Sequence, residues 1–246
     1  MSKKKSGVIG ETLRTVIYAV LIAIGIRIFA YEPFNIPSAS MEPTLLVGDY
    51  LFVSKFSYGY SRYSIPLGFP LFDGRILASE PERGDVAVFK LPTDNSTDYI
   101  KRIVGLPGDT IQVIGGILHI NGEPVKREPV GDARRTDAHG NASTVHEYIE
   151  TLPNGVQHRI WENSDQGSLD NTPVYRVPAD HFFAMGDNRD SSQDSRVLSA
   201  VGYVPFENLV GRAEFLFFSH DGSAAFWEFW RWPGAIRFSR IANGID

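Results

Sequence analysis

The chain has 246 residues, 43% hydrophobic and 22% charged, which allows one large or two modest cores and excludes a disordered polyelectrolyte. A net charge of −5, with Lys3–Lys5 as its one dense basic run, excludes the basic face that nucleic-acid binding requires. The absence of cysteine removes disulfides, thiolate metal sites and cysteine nucleophiles together.

In chain order, the lysine run leads into Val8–Ala30, whose inner stretch from Thr15 to Ile26 carries no charge before Arg27 interrupts. A helix over this segment is about 34 Å long, matching a hydrocarbon core of roughly 30 Å. Glu11, Arg14 and Arg27 then fall near its ends, where long side chains reach the headgroups. A cleaved secretory signal has a similar start, but Ile28-Phe29-Ala30 puts a large residue where the cleavage motif needs a small one. A buried soluble helix is the other reading. Span length favours an uncleaved anchor, and the lysines set its N-terminus in the cytoplasm. The expected organisation is a cytoplasmic stretch 1–7, a transmembrane helix 8–30 and an exported body 31–246.

Beyond Ala30 the pattern changes to short apolar runs with turn punctuation. Tyr50–Lys55, Asp85–Leu91, Tyr99–Val104, Thr110–Ile114 and Ile117–Ile120 read as strands, with Asn121-Gly122 as a hairpin turn. Ser57–Pro81 reads as a long irregular loop. Lys126 to about Thr172 is polar and weakly patterned, an inserted subdomain. His181–Met185, Gly202–Val204 and Val210–Phe218 are further strands, so the body is mainly β. In the tail, Phe226–Trp232 has five aromatic residues in seven. It reads equally as a core cap and as an interfacial belt.

No zincin helix, G-x-S-x-G elbow or phosphate-binding loop is present. Histidines 119, 139, 146, 158, 181 and 220 lack ligand spacing and read as surface or structural residues. Asn95-Ser96-Thr97 and Asn141-Ala142-Ser143 match the glycosylation pattern at a length that chance supplies. Gly186–Arg196 lacks the glycine and glutamate that a calcium loop needs. No metal or cofactor is called for. Three clusters remain. Pro37–Thr44 brackets Ser38 and Ser40 between prolines; alone, it reads more readily as a turn leaving the membrane. Lys101 alternates with Tyr99 and Ile103 on one strand face. Burial there disfavours the ammonium and lowers its pKa, although an edge-strand lysine that blunts aggregation fits the position equally. Gly186–Arg196 is either a turn-rich loop of neutralised charges or part of a site. A serine protease without histidine needs another base for its hydroxyl, and a neutral lysine serves.

Together these clusters resemble bacterial type I signal peptidase. The matching stretches are Phe34–Leu46, Arg83–Lys90, Tyr99–Asp109 and Gly186–Arg196, in that family's order behind an N-terminal membrane segment. Val204-Pro205 and Leu209–Arg212 extend the resemblance. It implies a signal-peptidase-like β-barrel or coiled-sheet catalytic body that removes signal peptides from exported preproteins after small residues, of the Ala-x-Ala type. It implies Ser40 as nucleophile, Lys101 as general base, Ser38 with the Ser40 N–H as oxyanion donors, and Ser192 as the residue orienting the lysine. Asp194 and Arg196 would support the site. Ile36, Met41, Leu45, Tyr99 and Ile100 would line the pocket beside the scissile bond, and Phe34, Leu51 and Val88 the neighbouring one. Residues 115–180 would be a cap-like insertion. Implied partners are the preproteins, the lipid bilayer and, as a further candidate, the translocation machinery, at a bacterial inner membrane with the catalytic body outside. Ala39 and Glu42 depart from the family's habit of a glycine and a less charged residue at those positions.

The tether limits the geometry. Ser40 lies ten residues past Ala30, which at full extension span about 33 Å, so the nucleophile sits near the membrane surface. A self-cleaving repressor-type Ser-Lys protease would need a DNA-binding head where this chain has an apolar segment. A tethered β-rich binding module without activity is the non-enzymatic alternative.

Overall fold

The computed structural model describes residues 3–64, 74–136, 142–225 and 227–245. His139, Asn141 and Phe226 lie outside them, as does part of the expected loop 57–81.

Helix α1, Lys3–Phe29, begins nearer the N-terminus than the sequence suggests. Its Gly10–Phe29 stretch has mean hydropathy 1.8, and none of it is buried against the protein. Apolar side chains surround its axis, the pattern of a helix covered by an apolar medium rather than by one protein face. The joint to the body is tied: Lys55 N–H donates to Ala30 O at 2.9 Å, and the Lys55 ammonium pairs with Glu32 at 2.8 Å.

The remainder is mainly β. Strand β1 (Tyr31–Asn35) leads from α1; β2 is Asp49–Ser54, and β3 (Tyr60–Ser61) and β4 (Arg75–Ile76) form a small ribbon in the described part of the long loop. Then come β5 (Val86–Lys90), β6 (Asp98–Gly105), β7 (Thr110–Ile114), β8 (Ile117–Ile120) and β9 (Glu123–Pro124). Three strands follow where the sequence is weakly patterned: β10 (Lys126–Thr136), β11 (Ala142–Thr151) and β12 (Gln157–Glu162). The last are β13 (Tyr175–Arg176), β14 (His181–Met185), β15 (Val204–Pro205) and β16 (Leu209–Ser219).

A curled seven-stranded antiparallel sheet runs β1-β2-β16-β5-β6-β14-β15. A four-stranded sheet, β13-β7-β8-β9, continues from β6, and β10-β11-β12 form a sheet of their own. Asn121 and Gly122, at φ 57° and 85°, make the β8–β9 turn that this dipeptide favours. Residues 115–125 therefore pair with the body, and the separate sheet starts at Lys126. Strand β6 is the hub of the packing: Ile103 joins Phe89 and Phe182 in one apolar cluster, and Val104 joins Ile111 and Phe183 in another. A third cluster, with Met41, Leu45, Leu51 and Val88, lies under the N-terminal end of the same strand.

The tail splits between its two readings. Ala235 is buried, and residues 242–245 hydrogen-bond back along β16, but Trp227, Phe229 and Trp230 are exposed.

Candidate active site

Strand β1 runs out at Asn35, and the chain turns through a single 3-10 turn, Ala39–Met41, that carries Ser40. Proline at 37 and 43 limits the backbone on both sides. Strand β6 supplies Lys101, opposite Ala87 of β5. The two side chains meet in a buried contact: Lys101 Nζ donates to Ser40 Oγ at 2.7 Å and to Ile100 O at 2.9 Å. The ammonium also stands 5.2 Å from the centre of the Tyr99 ring. Lys101 is 3% exposed. Burial pulls its pKa down from 10.5 to about 8, against the opposing pull of Asp194 and Asp187. Ser38 Oγ is 3.4 Å from Ser40 Oγ.

The loop after β14 backs this pair. Asn188 N–H donates to Ser40 O at 3.1 Å, and its side-chain amide donates to Ala39 O at 3.0 Å. Asp194 takes the Arg196 guanidinium through both oxygens at 2.9 Å and accepts from Gly186 N–H at 3.0 Å. Behind them, Arg102 forks onto Asp187 at 2.9 Å, and Thr44 Oγ1 donates to the same carboxylate at 2.6 Å. Lys101 and Arg102 are neighbours in sequence but serve opposite faces of β6, as strand alternation requires.

Ser192 is buried next to Gly186, and no hydrogen bond joins it to Lys101 among the described residues; its hydroxyl instead helps hold the Asp194 carboxyl below its ordinary pKa. The approach at Gly186 is close. A Cβ there would come within 2.2 Å of Ser192 Oγ and 2.5 Å of Ser40 O. Gly186→Ala is therefore expected to cost about 1–3 kcal/mol in stability and about ten-fold or more in cleavage rate, because the turn carrying Ser40 must shift. Paired thermal melts and peptide cleavage rates check this.

A cavity of about 540 Å³ opens over the pair. Phe34, Ile36, Val88, Tyr99 and Ile100 line it. Met41, Leu45 and Leu51 do not reach it; they are fully buried in the cluster beneath. A motif position cannot distinguish the surface of a pocket from its support. Pro37 lines it too, and Asn35, Asp98, Ser191 and Gln193, which also line it, were not singled out from sequence. Strand β6 pairs with β14 only from Arg102 onward, so Asp98–Lys101 present an edge to the cavity with no strand partner among the described residues.

Of the histidines, His158 is buried, 3.3 Å from Glu150 and 3.9 Å from Asp187, behind the site rather than in it.

The sequence has counterparts in known proteins. The family model for signal peptidase, peptidase S26, matches residues 9–218. Signal peptidase I of Rickettsia typhi is 44% identical over 212 residues, covering 82% of this chain and 77% of that protein. The Rickettsia canadensis enzyme is 45% identical over 210 residues, with the same shares covered. A signal peptidase I structure from Enterococcus faecalis is 25% identical and covers 55% of this chain and 97% of that one, with a TM-score of 0.32. The chain belongs to the signal peptidase I family and is a serine endopeptidase of peptidase S26. That family is membrane-anchored, and α1 fits such an anchor.

Proposed function

We propose that this enzyme cleaves signal peptides from preproteins by a Ser40–Lys101 dyad, after small residues of the Ala-x-Ala type. The observation that carries the reading is the buried 2.7 Å contact between Lys101 Nζ and Ser40 Oγ, with a lysine that burial brings to about 8. A neutral Lys101 takes the Ser40 proton as Oγ attacks the scissile carbonyl. The Ser40 N–H and the Ser38 hydroxyl donate to the oxyanion. Collapse of the tetrahedral intermediate breaks the C–N bond, and Lys101 returns the proton to the leaving amine. Water, deprotonated by the same lysine, then attacks the acyl-serine and frees the enzyme. We assign Ser192, buried beside Gly186, to orienting the lysine, and the Asp194–Arg196 pair to holding the loop.

The substrate lies extended along the free edge of β6, so its backbone supplies binding whatever its sequence. Phe34, Ile36, Val88, Tyr99 and Ile100 limit the side chains beside the cut. In this reading α1 spans the inner membrane with the N-terminus inside, the body stands outside, and residues 126–172 are the cap-like insertion. The short path from Ala30 to Ser40 then keeps the site at the level where a membrane-held signal peptide presents its cleavage point, next to the bilayer and the translocation machinery.

The test is cleavage of a preprotein by the purified chain in detergent. Ser40→Ala and Lys101→Ala are each expected to lose about ten-thousand-fold in kcat. Full activity in either would refute the dyad.

A further inference from the structure

The sheet β10–β12 has no counterpart in the motifs that identify the family, yet it is fastened to the active site. Trp161 of β12 donates its N–H to Asp187 O at 2.9 Å. Glu150 of β11 takes both ends of the Arg189 guanidinium, at 2.9 and 2.5 Å. Both ties hold the loop 186–196 from outside. Another tie, from β10, reaches past the loop to the nucleophile turn. Arg135 Nε donates to Glu42 Oε2 at 3.0 Å, and Arg135 Nη1 donates to Ser191 Oγ at 3.1 Å.

The two residues that Arg135 grips belong to the two segments that make the site. Glu42 directly follows the turn carrying Ser40, and its N–H bonds back to Ala39 O at 3.2 Å. Ser191 lines the cavity and precedes Ser192. On the inner side Asn188 already joins the loop to that turn; on the outer side Arg135 does. A planar guanidinium suits this, because it offers donors to a carboxylate and a hydroxyl at once, where an ammonium is a single point.

We propose that Arg135 is a positioning residue for the cleavage reaction: by holding Glu42 and Ser191 together it fixes the Ser40 turn against the cavity wall, which makes β10–β12 a working part of the site. This rests on the Ser40–Lys101 reading. A plainer role exists for Arg135, since the buried Glu42 needs a cation: burial pushes its pKa up and Arg135 opposes that. The two roles separate in the pair Arg135→Met with Glu42→Met, which removes both charges and still leaves Ser191 untethered.

The experiment measures kcat and KM separately for the full chain in detergent, on a peptide spanning a signal-peptide cleavage site, with thermal melts of each variant. Arg135→Gln is expected to lower kcat about ten-fold with KM changed less than about two-fold. The double methionine variant is expected to recover the melting temperature and keep the low kcat. Arg135→Lys retains a cation for Glu42 but not the fork, and is expected to melt like the parent while losing about three-fold in kcat. Parental kcat in the double variant or in Arg135→Lys, or a loss confined to KM, overturns the proposal. Where Arg135→Gln does not fold, those other two variants decide. Ser40→Ala runs alongside: cleavage by it counts against the dyad, whereas parental kcat in the Arg135 variants with Ser40→Ala inactive counts against the clamp alone.

Discussion

Lys101→Met is expected to lose cleavage by about ten-thousand-fold while making the fold more stable at neutral pH. The two effects share one cause. A lysine inside the body holds its proton only up to about pH 8, whereas in the unfolded chain it holds it to its ordinary 10.5. Below pH 8 both states are protonated, and the cost of burying the ammonium is present in full. Between about 8 and 10.5 the native state has already released the proton, so stability rises with pH across that window. The gap corresponds to about 3 kcal/mol, which is the upper bound on what the methionine variant gains at pH 7, because Ser40 Oγ and Ile100 O lose their donor. Denaturant titrations at pH 7 and pH 10 read it directly. The parent should gain stability from one to the other, the variant should not, and equal pH slopes would show that Lys101 is not the group responsible. In the proposed mechanism, the enzyme thus keeps a destabilising residue in its core because a neutral base is needed there.

The two halves of the Ser40–Lys101 contact could each be picked out from the chain, and the reason is local. Ser40 sits on a short proline-bracketed turn and Lys101 on a strand whose alternation is intact, so each motif carries its own geometry. Most strands of the main sheet were legible for the same reason, since Val86–Lys90 and Asp98–Gly105 bury apolar residues. Strand β1 was not, because Tyr-Glu-Pro-Phe-Asn is an edge, and proline with half-exposed neighbours mimics a loop. The sheet β10–β12 was hidden differently. The inward positions of β12 are His158, Ile160 and Glu162, and Glu150 is the buried residue near the end of β11. Period-2 reading looks for apolar residues inward; here Ile160 is flanked inward by His158 and Glu162, and Glu150 and Glu162 pair with Arg189 and Arg127. The strands exist to carry an ion network to the loop 186–196, and such a network has no hydrophobic signature. Arg135 was missed for the same reason. Its partner Glu42 was visible as a departure from the family, but nothing in sequence pairs residues 42 and 135. The depth of Met41, Leu45 and Leu51 was equally unreadable, because pocket wall and pocket support share one composition.

In the proposed mechanism the network also sets the working pH, and Asp194→Asn is expected to expose this. Of the charges acting on Lys101, Asp194 is the foremost in raising its pKa, with Asp187 next. Removing the Asp194 charge takes away an anion and leaves Arg196 as an uncompensated buried cation. Both changes disfavour the ammonium, so Lys101 should lose its proton more readily than in the parent. In the parent, the acid limb of kcat/KM, which reports the free enzyme, should fall near pH 8, where Lys101 becomes protonated. In Asp194→Asn the limb should move to lower pH, giving a larger share of maximal activity at pH 6. Stability moves the other way. Breaking a buried pair costs about 3–5 kcal/mol because the remaining charge stays buried, and both Asp194 and Arg196 are buried. The variant should therefore melt lower and, at temperatures below its melt, cleave at more acid pH than its parent. A limb that stays in place or moves to higher pH would mean that Asp194 does not act on Lys101, and that the loop's charges serve only to hold its shape.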